Sequence, residues 1–257
     1  LVAWYKLDND ALACENTTRV KDWSNNGNNG TAINGVVMNA SGKIRGAGTF
    51  DGSDDYVGLA SSIVLTENFT VSSWVYFPIG VTVNNADAIV GESTVSDFNF
   101  YAGILRMYLS GADKVTAITG VTQGVWQNWV IIRNGTTHKI YLNGVQDASE
   151  DHSVETMNIN VVGRGAVPAS SISGSIDEVA IWNRSLSATE ILNLYKRGMW
   201  RMNLTVRSCN DAACSGESFS LLENATNGST ITPPQADNRY FQYELNYRNI
   251  TGNATKP

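Results

Sequence analysis

The chain consists of short apolar segments separated by clusters of turn-forming residues, and this pattern restricts its fold more than any other feature. In the clearest segment, residues 69–77, an extended strand has Phe69, Val71, Val75 and Phe77 on one face and Trp74 and Tyr76 on the other. Apolar side chains on both faces are typical of a central strand that is covered on both sides.

Glycine-containing turns and a single helix complete the local pattern. Two Asn-Gly dipeptides, at 134–135 and 143–144, flank a strand-like segment and indicate tight antiparallel hairpins. A capping box of Ser187 and Glu190, followed by an apolar stripe, predicts one short surface helix that ends at Gly198. We therefore predict an all-β, antiparallel sandwich with one helix.

Composition argues against several classes of protein. The 257 residues carry a net charge of −6 with dispersed Lys and Arg, which argues against nucleic acid or an anionic membrane as partner. No apolar run reaches the roughly eighteen residues that a membrane span requires. The chain opens on Leu1 in a strand-like segment, so we expect a mature or excised piece without a signal peptide. Charged residues are only 16%, so Asn, Ser and Thr must cover much of the surface.

The polar residues form many N-glycosylation sequons. The eleven sites are Asn16, Asn29, Asn39, Asn68, Asn134, Asn183, Asn203, Asn224, Asn227, Asn249 and Asn253. Chance would give about 4 or 5, although shared use of Asn, Ser and Thr in turns would raise that number. The excess favours N-linked glycans on an extracellular or cell-surface protein, and dense sequons fit an archaeal or eukaryotic secreted protein best.

Cysteine spacing agrees with an oxidising environment. Cys209 and Cys214 are separated by four small or turn-forming residues, which lets their Cα atoms approach within disulfide range. A zinc site would need two further ligands, and both histidines, His138 and His152, lie far away in the sequence. We predict a local disulfide. For Cys14, a buried free thiol and a bridge to another chain both stay open.

Five sequence blocks occur in a specific order and spacing. They are residues 4–8 (WYKLD), 22–30 (DWSNNGNNG), 46–57 (GAGTFDGSDDYV), 69–75 (FTVSSWV) and 174–187, which contain GSIDEV and NRSLS. Together they resemble the concanavalin A-like jelly roll of laminin-G-like modules. The resemblance covers residues 1–198 and implies two antiparallel sheets of six or seven strands, one of them concave.

The resemblance also implies a metal site. Such sandwiches often hold a calcium ion at the rim, and the matching residues are Asp22, Asn25 and Asp177, which would make Ca²⁺ a structural cofactor. Alternatively, Asp22 and Asn25 cap turns and Asp177 starts a strand. Asp51, Asp54 and Asp55 form a denser acidic cluster, but they lack the Asp-x-Asp-x-Asp-Gly order, so we interpret them as a structural hairpin.

Sugar binding uses exposed aromatic rings, and glycoside hydrolysis uses a pair of carboxylates. Trp23, in a polar loop, and Trp200, in the connection to the C-terminal segment, are the better candidates for carbohydrate contact, whereas Trp4 and Trp74 match core positions of the family. Glucan-cleaving relatives use a Glu-x-Asp-x-Glu strand, which this chain lacks. The nearest group contains Glu150 and Glu155, which would lie on opposite faces of a strand. We predict no catalytic residues and no enzymatic activity.

The C-terminal segment, residues 199–257, lies outside the resemblance. It predicts a few strands and looks like the opening of an immunoglobulin- or fibronectin-like sandwich, which normally needs about 100 residues. Either the second sandwich is truncated or another chain completes it. We expect an adjacent copy, through its residues 1–4 or the end of its preceding repeat, to cover the apolar residues Val206, Phe219, Leu221, Tyr240, Phe241 and Tyr243.

Two functions follow from these observations. The leading prediction is a non-catalytic extracellular glycoprotein with a structural or adhesive role, a repeating subunit of a filament or cell-surface array whose copies join head to tail by strand addition. The alternative is a carbohydrate-binding module of a larger secreted enzyme or adhesin, with glycans as partners.

Overall fold

The computed structural model describes residues 1–11, 14–83, 87–92, 96–165, 171–216, 218–222 and 240–249. The chain divides into two compact units, Leu1–Tyr195 and Lys196–Pro257. The sequence predicted a boundary three residues further along, at 198.

The described part of the first unit contains sixteen strands. They are β1 (Ala3–Tyr5), β2 (Arg19–Val20), β3 (Gly30–Ile33), β4 (Val37–Ile44), β5 (Gly46–Asp51), β6 (Tyr56–Leu65), β7 (Phe69–Tyr76), β8 (Asp87–Gly91), β9 (Ser96–Tyr101), β10 (Ile104–Leu109), β11 (Ala112–Gly120), β12 (Trp126–Asn134), β13 (Thr137–Leu142), β14 (Val145–Asp151), β15 (Met157–Val162) and β16 (Ser173–Trp182).

These strands form two eight-stranded antiparallel sheets. Sheet one has the order β14-β13-β12-β7-β16-β5-β4, with β1 also paired to β16. Sheet two has the order β11-β10-β9-β8-β15-β6-β3-β2. Neighbours in these orders are often far apart in sequence, as in a jelly roll, so the predicted antiparallel all-β fold class is confirmed.

The hydrophobic core consists of alternate residues from both sheets. In sheet one, β7 contributes Phe69, Val71 and Val75, the face that the sequence predicted. In sheet two, β9 contributes Phe98 and Phe100. Because side chains alternate along a strand, the residues between these lie on the outer face of their sheet.

One helix covers the outer face of sheet one. Helix α1 (Ala188–Met199) places Ile191 in an apolar cluster with Val130 and Ile132 of β12. On the same face, the rings of Tyr195 and Trp74 stack with their centroids 5.7 Å apart.

The predicted start of α1 is confirmed, and its predicted end is wrong. The Ser187 N–H donates to Glu190 Oε2 at 2.8 Å and the Glu190 N–H donates to Ser187 Oγ at 3.3 Å, which is a capping box. The helix continues through Gly198 to Met199, because the chain passes directly into the next strand, which starts at Trp200, and needs no left-handed cap.

Within the described residues of the second unit, three strands form an antiparallel sheet. Its strands are β17 (Trp200–Cys209), β18 (Ser220–Leu222) and β19 (Tyr240–Asn249), in the order β18-β17-β19. The predicted disulfide joins Cys209 to Cys214, with the Cα atoms 5.0 Å apart. Among the described residues, no helix has the length and apolar character needed to cross a bilayer.

Candidate functional site

The outer face of sheet two carries polar and aromatic side chains where β9 and β10 pair. Phe98 and Phe100 of β9 enter the core, so Asp97, Asn99 and Tyr101 lie on the opposite face. This strand alternates apolar and polar residues, which is the pattern of a strand with one buried face.

Strand β10 adds two side chains to the same face. Leu105, Met107 and Leu109 enter the core, which leaves Arg106 and Tyr108 outside. The strand register places Arg106 opposite Asn99 and Tyr108 opposite Asp97. We call Asp97, Asn99, Tyr101, Arg106 and Tyr108 the β9–β10 patch.

A hydrogen-bond chain fixes the polar members of the β9–β10 patch. The Asn99 side-chain amide donates to Asp97 Oδ1. Arg106 Nε then donates to Asn99 Oδ1 at 2.8 Å, and Arg106 Nη1 donates to Asp113 Oδ1 at 2.9 Å. Because Asn99 both donates and accepts, its side chain has one orientation and acts as a link between the carboxylate and the guanidinium.

Two tyrosine rings flank the guanidinium. Arg106 Cζ lies 4.6 Å from the ring centroid of Tyr101 and 4.9 Å from that of Tyr108. Both distances are within the range of cation–π attraction. Tyr101 is 50% exposed, so one large aromatic surface beside fixed polar groups is open to solvent.

Solvent is excluded from the base of the β9–β10 patch. Asp97 and Asn99 are 2% and 1% exposed although they lie on an outer face. Gly165 approaches closely, because a Cβ at this position would overlap both Asp97 Oδ2 and Ala88 Cβ. Because Gly165 has no side chain, the backbone at Gly165 can pack directly against the Asp97 carboxylate.

The sequence of residues 51–192, which includes the whole β9–β10 patch, matches the family described as the concanavalin A-like lectin/glucanases superfamily. This match covers more than half of the chain. The chain belongs to the concanavalin A-like lectin/glucanase superfamily. The jelly roll that its sequence blocks predicted is therefore confirmed.

Solved structures show the same fold. Domain 4 of AbnA, a GH43 extracellular arabinanase from Geobacillus stearothermophilus solved in complex with arabinotriose, matches with a TM-score of 0.59 and 19% identity over 76% of this chain and 98% of that one. The receptor-binding domain of botulinum neurotoxin type G matches with a TM-score of 0.56 and 15% identity, over 80% of this chain and 56% of that one.

A third match widens the range of proteins that share the fold. The binding domain of Paraclostridial Mosquitocidal Protein 1 matches with a TM-score of 0.56 and 15% identity over 96% of this chain and 75% of that one. At these identities the similarity shows the fold alone. No curated protein matches the sequence.

In this lectin-like module, Trp23 lies in a different environment from the β9–β10 patch. Its ring is half-buried and contacts two ammonium groups, with Lys6 Nζ at 3.6 Å and Lys21 Nζ at 4.3 Å from the centroid. Trp23 Nε1 donates to Glu15 Oε1 at 3.4 Å. Carbohydrate binding at Trp23 stays a prediction.

The residues predicted to bind calcium lie in two environments. Asp22 is buried and accepts hydrogen bonds from the backbone N–H groups of Trp4, Ser24 and Asn28 at 2.9–3.0 Å. Asn25 follows in the same loop, is exposed and has a φ of 70°. Both residues shape the turn.

Asp177 has other neighbours. Its Oδ2 accepts a hydrogen bond from the Ile44 N–H at 2.7 Å. Burial, followed by the nearby Glu178 and Asp8 carboxylates, raises the pKa of Asp177 well above its usual range. Among the described residues, no hydrogen bond or ion pair joins Asp177 to Asp22 or Asn25. Calcium binding by these three residues stays a prediction.

The carboxylates nearest to a catalytic pattern have structural partners. Glu150 Oε1 accepts the Thr116 N–H of the edge strand β11 at 3.1 Å. Glu155 Oε1 accepts a hydrogen bond from Lys114 Nζ at 2.6 Å. This bond is the main reason that the pKa of Glu155 is lowered to about 2, and further hydrogen bonds add to the effect. A general acid needs a raised pKa, so Glu155 does not fit that role.

Sequon asparagines differ in exposure. Asn16, Asn134 and Asn183 are exposed, whereas Asn29, Asn39 and Asn68 are half-buried. Asn39 Nδ2 donates to Thr49 Oγ1 at 2.5 Å, so a glycan there would replace a hydrogen bond. Asn224, Asn227 and Asn253 lie outside the described residues, as do the side chains of Asn203 and Asn249. Glycosylation stays a prediction.

The structure differs from the sequence-based expectation at Cys14 and at the β9–β10 patch. Cys14 is exposed and forms no disulfide within the described residues, so the buried thiol is wrong and a bridge to another chain stays a prediction. The β9–β10 patch was missed, although the alternation of Asp97, Asn99 and Tyr101 with phenylalanines was a signal of a polar outer face.

Proposed function

We propose that this chain is a non-catalytic carbohydrate-binding module of an extracellular protein and that the β9–β10 patch holds the saccharide. The observation that carries the proposal is the pair of tyrosine rings, Tyr101 and Tyr108, on either side of a hydrogen-bonded Arg106. The arabinotriose bound by the matching arabinanase domain supports this class of ligand.

The chemistry of the patch suits a neutral sugar. A pyranose or furanose ring has apolar C–H faces, which pack on aromatic rings, and hydroxyl groups, which need fixed donors and acceptors. The patch supplies the Arg106 guanidinium, and the exposed Asp113 carboxylate lies beside it. Because this carboxylate is exposed, it would repel an acidic saccharide.

Pre-organisation also favours binding. Asp97 and Asn99 are almost inaccessible to solvent and hydrogen-bonded, so little side-chain entropy is lost when a ligand packs above them. The partners of Glu150 and Glu155 support a non-catalytic role. Glu150 already accepts a backbone hydrogen bond from the edge strand β11, and Glu155 already pairs with Lys114.

Calorimetric titration with arabinotriose, other neutral oligosaccharides and a uronic-acid oligosaccharide tests the proposal. We expect neutral sugars to bind and Tyr101→Ala or Tyr108→Ala to weaken binding about ten-fold, equivalent to about 1.4 kcal/mol. Tyr240→Ala, which removes an exposed tyrosine of β19, is the matched control. Full affinity in both patch variants would contradict the proposal, and loss only in Trp23→Ala would place the site at Trp23.

A second candidate function, which we infer from the C-terminal sheet, is structural or adhesive. On one face of β19, Phe241, Tyr243 and Leu245 are 58%, 66% and 43% exposed. Tyr243 and Leu245 lie opposite Val206 and Leu204 of β17, and Phe241 lies opposite Ser208, so the face is largely apolar. A second copy of this chain that packs a different surface on this face would form a head-to-tail contact, whereas two copies that pack this same face together would form a closed dimer.

Sedimentation velocity over a wide concentration range tests this assembly. We expect larger species at high concentration, and Tyr243→Ser to shift the distribution towards monomer. A compact monomer at every concentration would refute the structural candidate and leave carbohydrate binding unaffected.

A further inference from the structure

Two loops at one end of the first unit form an exposed apolar surface. Residues 77–83 follow β7, and residues 121–125 join β11 to β12. Ile79 is 83% exposed, the highest fraction among the large apolar side chains that the structure describes, and Val125 is 47% exposed. The two loops adjoin, because a Cβ at Gly124 would lie 2.9 Å from Ile79 Cγ1. We call residues 77–83 and 121–125 the apolar rim.

The apolar rim contains no charged residue. Its two segments read FPIGVTV and VTQGV, whereas 16% of the residues in the whole chain are charged. A surface without cations has no attraction for anionic lipid headgroups. Its transfer to an apolar medium also removes no charged side chain from water, so the largest cost of such a transfer is absent.

Hydrogen bonds within the chain hold the apolar rim and occupy part of its backbone. The Gly80 N–H donates to Gln123 Oε1 at 2.9 Å, and Gln123 Nε2 donates to the Val81 carbonyl. The Gly124 N–H donates to the Phe77 carbonyl at 2.8 Å. An unpaired backbone group is costly in an apolar medium, so these bonds lower the free-energy cost of moving the rim out of water.

The side chains of the rim suit a lipid surface better than a protein partner. Gln123 is the only rim residue with a side-chain amide, and both of its polar atoms already bond to the rim backbone. Little directional chemistry is therefore left for recognition of a protein surface. Next to the rim, the half-buried rings of Tyr76 and Trp126 have their centroids 5.6 Å apart, and such rings favour the headgroup region of a bilayer.

We propose that the apolar rim inserts into the surface of an uncharged lipid bilayer, with Ile79 and Val125 as the side chains that enter the lipid. Insertion removes their exposed apolar area from water, which is the driving force. Because the chain has a net charge of −6 and the rim offers no cation, zwitterionic lipid suits it better than anionic lipid. Lipid binding at the rim does not depend on carbohydrate binding at the β9–β10 patch.

Flotation of the chain with phosphatidylcholine vesicles tests the proposal. We expect a partition constant on the order of 10³ M⁻¹, below the value of roughly 10⁴ M⁻¹ for one myristoyl chain, so about half of the protein will float at about 1 mM accessible lipid. Binding will not change between about 0.1 M and about 0.5 M NaCl, because no ion pair contributes to it. Adding phosphatidylserine to the vesicles will weaken it.

Exchange of the inserted side chains for serine gives the direct test. Ile79→Ser will lower the partition constant about ten-fold, and Val125→Ser will lower it less, because less apolar area is exposed there. Val64→Ser is the matched control: Val64 is 57% exposed near the end of β6, which leads into the start of β7, at the opposite end of the sandwich from the rim. It will bind like wild type. All three side chains are exposed, so the Tm of each variant will match that of wild type.

Four results would overturn the proposal. They are absence of the wild-type chain from the floating fraction, binding that requires anionic lipid, wild-type partitioning of the double variant Ile79→Ser/Val125→Ser, and an equal loss in Val64→Ser. Sedimentation without lipid adds a fifth. An oligomer that Ile79→Ser abolishes would assign the rim to a contact with a second copy of the chain instead of a bilayer.

Discussion

Replacing Arg106 by alanine will destabilise the first unit, because the guanidinium organises the β9–β10 patch. Asn99 is only 1% exposed, and its Oδ1 accepts the Arg106 Nε at 2.8 Å. Once that donor is removed, a buried acceptor is left without a partner, which costs about 1–3 kcal/mol.

The other contacts of Arg106 add smaller amounts. The Asp113 side chain is 44% exposed, so its ion pair with Arg106 contributes about 0–1 kcal/mol. The contacts with the Tyr101 and Tyr108 rings contribute about 0.5–1 kcal/mol each. Because these contributions overlap, we expect a total loss of about 2–4 kcal/mol in the free energy of unfolding.

Urea and thermal unfolding measure this loss. For a unit of this size, about 1 kcal/mol lowers the Tm by roughly 2–4 °C, so Arg106→Ala will lower it by about 5–15 °C. The matched control is Asp113→Asn, which removes only the exposed partner and will cost less than about 1 kcal/mol. If Arg106→Ala costs no more than Asp113→Asn, then the guanidinium does not support Asn99 and the reasoning is wrong.

Three other predictions follow from the structure. Serine at both Cys209 and Cys214 will destabilise the C-terminal unit by about 2 kcal/mol; non-reduced peptide mapping that finds both thiols free would contradict the bridge. Burial, reinforced by nearby positive charge, lowers the pKa of His138. In mildly acidic solution the unfolded chain therefore binds a proton at His138 that the folded chain does not bind. The free energy of unfolding consequently falls as the pH drops below the ordinary imidazole pKa of about 6.5. Urea midpoints of wild type and His138→Gln at acidic and neutral pH test this, and equal pH slopes would contradict it. Glycopeptide mass spectrometry will find higher occupancy at exposed sequons than at Asn39, whose amide already donates a hydrogen bond; equal occupancy would contradict the role of that bond.

Features set by neighbouring residues were predictable from the sequence. The capping box of Ser187 and Glu190 lies within one helical turn, and it starts α1 as predicted. Likewise, Asn143 and Gly144 have φ values of 51° and 82°, which suits the two-residue turn that joins β13 to β14. These signals depend only on local backbone geometry.

The candidate site was not predictable in the same way. Arg106 reaches Asn99 because β9 and β10 pair in one particular register, and a shift by one residue would move these side chains into the core. The burial of Asp97 also depends on Gly165, which is distant in sequence. The end of α1 was also not predictable from local sequence. Gly198 has the residue type of a helix cap, but the helix continues to Met199 and the next strand starts directly after it.

The two outer faces of the sandwich differ in a way that favours sheet two as the binding face. On sheet one, Val130, Ile132 and Tyr141 form an apolar cluster with Ile191 of α1, and covering these side chains by the chain's own helix removes a large apolar area from water. On sheet two, the β9–β10 patch is polar and its aromatic rings already contact Arg106, so a helix would gain little there and would bury a charged network. A small hydroxylated ligand can use the rings and the hydrogen-bonding groups together without that cost. The composition of each face therefore explains which one the chain covers itself, and it fits our proposal that the other face holds a saccharide.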